Sequence, residues 1–103
     1  MKQNKTEALS FRTRNFGSVT VAKSTYSRGG KVAVELIADT GEPIAVLSVN
    51  IPESAHLLGP DEFFVKTWSE NEELAEDALA SGIFCATGRT SKTVLNAPIW
   101  AFK

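Results

Sequence analysis

The chain has 103 residues, enough for one modest hydrophobic core and not for two. With 43% hydrophobic and 22% charged residues it matches ordinary globular proteins, which excludes a disordered tail, a collagen-like repeat and a membrane protein. One cysteine excludes a disulfide framework and a multi-cysteine metal site; one histidine excludes the usual histidine-rich catalytic and zinc constellations.

The net charge of −1 conceals a strong segregation. Residues 1–34 carry seven basic side chains and one acid, residues 35–82 eleven acids and one lysine, and residues 83–103 three basic side chains and no acid. The plainer reading is that basic and acidic segments meet in the fold and neutralise each other; the alternative is a charged partner. The N-terminal residues MKQNKTEALSF lack an apolar signal core, and no run reaches the length of a membrane span, so a cytoplasmic protein without a membrane partner is expected. Asn4-Lys5-Thr6 matches a glycosylation acceptor, which carries no meaning without export.

In chain order, residues 1–7 are polar and read as a flexible terminus; residues 8–103 read as a single α+β domain. Leu9 and Phe11 alternate with Ser10 and Arg12, as in a half-buried strand. Phe16-Gly17-Ser18 reads as a turn, Val19–Ala22 as a β-branched return strand, and Ser27-Arg28-Gly29-Gly30 as a second turn. From Lys31 to Ala38, Val32, Val34 and Leu36 share one face and Lys31, Ala33 and Glu35 the other. A turn at Asp39–Glu42 leads into Ile44–Val49, apolar on both faces and therefore expected to be a central strand covered by a second layer. Pro52 ends that strand, and residues 52–61 form a loop.

Glu62–Trp68 reads as an aromatic-rich strand, followed by one clear helix. Ser69 and Glu72 have the spacing of a capping box, acids fill the first turn, and Gly82 stands where a helix stops. Leu74, Ala75, Ala78 and Leu79 form the apolar face; Glu70, Glu73, Glu76 and Asp77 form an acidic stripe. Ile83–Thr87 reads as a strand with Cys85 as core filler, and Gly88-Arg89-Thr90-Ser91-Lys92 as a polar turn without the order of a phosphate loop. Val94-Leu95 and Ile99–Phe102 read as closing strand pieces. The fold class is α+β: a mostly antiparallel sheet of five to six strands, with one amphipathic helix packed on one face.

No constellation meets the standard of an active site, so no catalytic, cofactor-binding or metal-binding residues are assigned and a non-enzyme is expected. His56 is a lone loop histidine, and the helix acids lack the glycine and spacing of a calcium loop. Trp68 and Trp100 are core candidates. Asn50 reads as a strand terminator and Asn71 as a surface contact. Two surfaces remain. The stripe of Glu73, Glu76 and Asp77 suits a basic groove on another protein. Alternatively, Arg12, Arg14, Lys23, Arg28 and Lys31, near Phe11 and Tyr26, suit nucleic acid on the N-terminal sheet surface. A homodimer formed by pairing open sheet edges is a further candidate partner.

The segments Gly41-Glu42-Pro43-Ile44-Ala45, Leu47-Ser48-Val49-Asn50, Phe64-Val65-Lys66, Ser69-Glu70-Asn71-Glu72, Gly82-Ile83 and Thr87-Gly88-Arg89 recur in that order in a small domain-of-unknown-function family, which residues 26–102 resemble. That family is carried by phages, plasmids and conjugative elements. The resemblance implies an accessory gene on mobile DNA, a setting in which small proteins bind and block host or element-encoded factors, defence systems included; it supplies no catalytic residues.

Overall fold

The computed structural model describes residues 9–92 and 96–103. The expectations for residues 1–7, for Asn4-Lys5-Thr6 and for Val94-Leu95 lie outside the described residues.

The α+β class holds, with more strands than expected and two antiparallel sheets in place of one. The first sheet is a simple meander of β1 (Leu9–Thr13), β2 (Gly17–Thr25), β3 (Val32–Ala38) and β4 (Pro43–Val46). The second contains β5 (Ser48–Val49), β6 (Glu62–Val65), β7 (Phe84–Thr90) and β8 (Pro98–Phe102), in the order β5-β6-β8-β7. A 3₁₀ turn at Pro52–Leu57 occupies the expected loop. A second, at Ser69–Asn71, leads directly into helix α1 (Glu72–Ala80).

Residues 43–49, read from sequence as one central strand, are a single run of chain that changes sheets at Leu47. The Leu47 amide donates to the Val34 carbonyl, 2.8 Å away, on the β3 side. Its carbonyl accepts from the Lys66 amide, also at 2.8 Å, beside β6. The run is therefore not central: β4 and β5 are edge strands of their sheets, and only at the crossing is it covered on both sides, where Leu47 and Ser48 are buried while Val46 is 47% exposed. At the opposite side, α1 packs against β1 and β7 and closes the gap between the outermost strands of the two sheets.

Inside this clasp lies the main core: Phe11, Val19, Val21, Val34 and Leu36 from the first sheet, Phe63, Val65, Phe84 and Trp100 from the second, and Leu74, Ala75 and Ala78 from α1. Aromatic rings dominate it. Phe63 meets Phe84 edge-on at 5.6 Å between centroids and Trp100 at 6.4 Å, and Phe84 meets Phe102 at 5.0 Å. Such pairs add to simple area burial through their quadrupoles. A second cluster sits on the far face of the second sheet, where Phe64 and Ile99 pack with Ile51, Leu58 and Ala97, and Trp68 leans on them. The second sheet is therefore covered on both faces, whereas the first is covered on one.

Several local expectations are corrected. The capping box does not form: Ser69 adopts φ 58°, outside the extended region that an N-cap side chain requires. Asn71 is not a surface contact; it is 1% exposed, and its Nδ2 donates to the Val46 carbonyl at 2.8 Å. That bond satisfies an acceptor at the end of β4, beyond the last residue of β6. Leu79 is exposed instead of joining Leu74, Ala75 and Ala78 in the core. Cys85 is also exposed, because Phe84 takes the inward position and strand alternation turns its neighbour outward. Gly88 is not in a turn: at φ 85° it lies within β7, in the stretch where register with β8 shifts between Ala86 and Thr90, so β7 runs on to Thr90. Gly82, at φ 84°, does stop the helix as expected.

Truncating the ring at the centre of the aromatic cluster tests this account. Phe63→Ala is expected to cost about 3–5 kcal/mol, measured by urea unfolding, a large share of the stability of a domain this small.

Candidate functional site

The acidic stripe of α1 is not simply exposed to water: it meets the turn between β1 and β2. Thr13 opens that turn by donating from Oγ1 to the Gly17 carbonyl (2.8 Å) and accepting the Phe16 amide (2.8 Å), which holds Arg14 and Asn15 against the helix. Arg14 Nη2 and Nε donate to Asp77 Oδ1 at 2.9 and 3.2 Å, and the Arg14 backbone amide donates to Asp77 Oδ2 at 2.9 Å. Arg14 Nη2 also reaches Glu76 Oε1 at 3.0 Å, while Nη1 lies 3.8 Å from Glu73 Oε2. Asn15 Nδ2 donates to Glu73 Oε1. Thus Arg14, from the proposed nucleic-acid set, and Glu73, Glu76 and Asp77, from the proposed protein-binding set, belong to one cluster.

The remaining basic candidates do not join it. Lys23 pairs with Asp61 and places Nζ 4.8 Å from the centre of the Phe102 ring. Arg28 and Lys31 flank the β2–β3 turn. That turn stands at the other end of the nine-residue β2 from Arg14, roughly 30 Å away at the rise of an extended strand. The β2–β3 turn is tied to β5, where Tyr26 Oη and Ser48 Oγ lie 2.7 Å apart and Asn50 Nδ2 donates to the Arg28 carbonyl at 3.3 Å. Asn50 thus bonds across the fold rather than to its own backbone. Arg12 is exposed on β1 and forms no ion pair among the described residues. The five cations therefore make no continuous basic surface. Arg89, from the segment read as a polar turn, donates to the Leu57 carbonyl at 2.8 Å and to Glu62 Oε2 at 2.6 Å, which pins the 3₁₀ turn to β7. His56 is exposed on that turn. No group of three or more His, Cys, Asp or Glu side chains could hold a metal ion among the described residues, and no helix there is long and apolar enough to cross a membrane.

Between the β1–β2 turn and the start of α1 lies a cleft of about 260 Å³. Its walls include Phe16, Leu74 and the carboxylates Glu70, Glu72, Glu73 and Asp77. Phe16 is 49% exposed, the most open of the large apolar side chains among the described residues. Sequence reasoning missed it, because the turn read over Phe16-Gly17-Ser18 does not say which way the ring points. Glu72 forms no ion pair among the described residues, whereas Lys66 Nζ binds Glu70 at 2.8 Å.

Three carboxyls are held below their ordinary range: Asp77 by the Arg14 guanidinium and backbone amide, Glu62 by Arg89 and the Gly59 amide, and Glu70 first by Lys66. A carboxyl with a depressed folded-state pKa stabilises the fold above its unfolded value and loses that contribution as pH falls through the folded value. Stability is therefore expected to be level from about pH 7 to pH 5 and to decline below about pH 4. Asp77→Asn should make the acid decline shallower while lowering the neutral-pH urea midpoint, as measured by urea unfolding across pH.

Set beside known proteins, the chain matches no protein-family model, no curated protein and no solved structure.

Proposed function

We propose that this chain is a small binding module without catalytic activity, encoded on a mobile element and acting in the cytoplasm on a host or element-encoded protein. Its contact surface is the outer edge of α1 together with the cleft beside it. The observation that carries this reading is the half-exposed Phe16 ring set among carboxylates of the helix. An apolar anchor ringed by charge is the usual composition of a protein contact, with the ring supplying affinity and the rim orientation. The charge of the rim favours a basic partner surface and accelerates encounter at low salt. The origin on mobile DNA rests on the resemblance of residues 26–102. Nucleic acid is the weaker alternative, since the basic candidates are dispersed and Arg14 and Lys23 are already paired with acids.

The roles of the three helix acids differ. Asp77 is 15% exposed at its side chain and holds the turn; Glu73 and Glu76 are 55% and 62% exposed and face outward. Glu73→Lys/Glu76→Lys should therefore abolish capture of the partner from a host lysate while leaving the circular dichroism spectrum unchanged, and Phe16→Ala should weaken capture on its own. Undiminished capture by both variants would remove the helix edge as the site. Gel shift of a single-stranded oligonucleotide that weakens steeply with salt would favour the nucleic-acid reading instead.

A further inference from the structure

The outer face of the first sheet has no covering layer among the described residues. Its side chains on β2 and β3 are mostly small (Thr20, Ala22 and Ala33), with the half-buried Ile37 beside Thr20 as the one large apolar side chain at its centre, and sheet faces stack at about 10 Å. Two charges stand on it, Arg12 on β1 and Glu35 on β3. Neither forms an ion pair among the described residues, a state they share with Arg28, Lys31, Asp39 and Glu42 at the turns; what sets them apart is their place on the open face.

The register gives these two charges a particular relation. Arg12 lies beside Ser18 of β2, and Glu35 lies beside Ala22 of the same strand. Thr20 is midway between Ser18 and Ala22, on the strand midway between β1 and β3. The two opposite charges are thus disposed symmetrically about Thr20.

We infer that this face binds a second copy of the chain through a two-fold axis that passes over Thr20, parallel to the sheets and perpendicular to the line from Arg12 to Glu35. One rotation then sets Arg12 of each copy opposite Glu35 of the other and forms two ion pairs, the self-complementarity that a closed dimer requires. With standard strand spacing and rise the strands of the two copies cross at about 70°, closer to the orthogonal class of sheet packing than to the aligned one. Val46, adjacent to Glu35 on β4 and 47% exposed in the single chain, is carried toward the partner's β1–β2 turn.

Edge pairing is the poorer route to a dimer. Helix α1 packs against β1 and β7, β4 opens on Pro43, and β5 has two residues. The face covers roughly 400 Å² per copy by strand spacing and length, in the range of weak, rapidly exchanging contacts.

Sedimentation equilibrium of the full chain up to about 1 mM tests the inference, and a monomer–dimer equilibrium is expected in the high-micromolar range. Arg12→Glu and Glu35→Arg, each placing like charges opposite one another, should weaken association at least about tenfold, while the double variant should recover to within about threefold of the original. Thr20→Arg, which sets two cations together at the axis, should abolish association. Circular dichroism checks that each variant folds. A chain that stays monomeric at about 1 mM, a dimer indifferent to the single reversals, or no recovery in the double variant overturns the assignment.

Discussion

Leu47 is where two sheets become one body. Its amide serves β3 and its carbonyl serves the chain beyond β6, so the strand that carries it cannot slide without breaking bonds on both sides. Register in a sheet is set by the side chains that must point inward, and a slip of one residue would turn them all over. Here the demand is doubled, because Leu47 must stay buried while Ser48 remains where its Oγ accepts the Val34 amide at 2.9 Å and meets Tyr26. That corner fixes how the first sheet lies over the second. It therefore places Val34 and Leu36 against Phe63 and Val65, and determines the width of the opening that α1 fills on the far side.

The charge segregation of the chain becomes intelligible from this geometry. Basic flanks meet the acidic middle at three places: Arg14 with Glu76 and Asp77, Lys23 with Asp61, and Arg89 with Glu62. All are at the surface, where such pairs add little to stability because water and salt screen them. Their contribution is positional. Arg14 fastens the β1–β2 turn to the helix, Lys23 ties β2 to the loop before β6, and Arg89 holds the 3₁₀ turn over the second cluster. Neutralisation within the fold thus accounts for part of the segregation: Arg12, Arg28 and Lys31 on the basic side and Glu35, Asp39, Glu42, Glu53 and Glu72 on the acidic side form no ion pair among the described residues.

Much of this was legible in the sequence, and the failures share a cause. The alternation of Val32, Val34 and Leu36 identified β3 and its inward face, because period two has one structural meaning. The run from Ile44 to Val49 was ambiguous, since a strand apolar on both sides looks the same whether one sheet is covered twice or the chain passes between two sheets. Cys85 stands among the apolar Ile83, Phe84 and Ala86, which suggests the core, but alternation with the buried Phe84 turns it outward. Ser69 and Gly88 show the limit of local signals. Spacing to Glu72 suggested a cap and glycine suggested a turn, but the backbone angle of the serine and the pairing of β7 with β8 decide those positions. The candidate site was half legible: the acidic stripe follows from helical period, whereas Arg14 closing onto it depends on how β1 approaches α1, which no local pattern encodes.

Arg12 and Arg14 show how finely this placement works. They are two residues apart, yet one ends a strand-face position and the other enters a turn that curls over the helix. Thr13, between them, is 5% exposed and uses its hydroxyl both to donate to Gly17 and to accept from Phe16, so the turn begins at Arg14 and not one residue earlier or later. A shift of that turn would bring the two guanidinium groups onto the same side and leave Asp77 without its partner. The open face would then carry two cations against one carboxylate and lose its balance about Thr20. The two arginines thus part by two separate constraints: strand alternation sets Arg12 opposite to the buried Phe11 and Thr13, and the turn that the Thr13 hydroxyl ties lets Arg14 reach Asp77 and Glu76 on the helix.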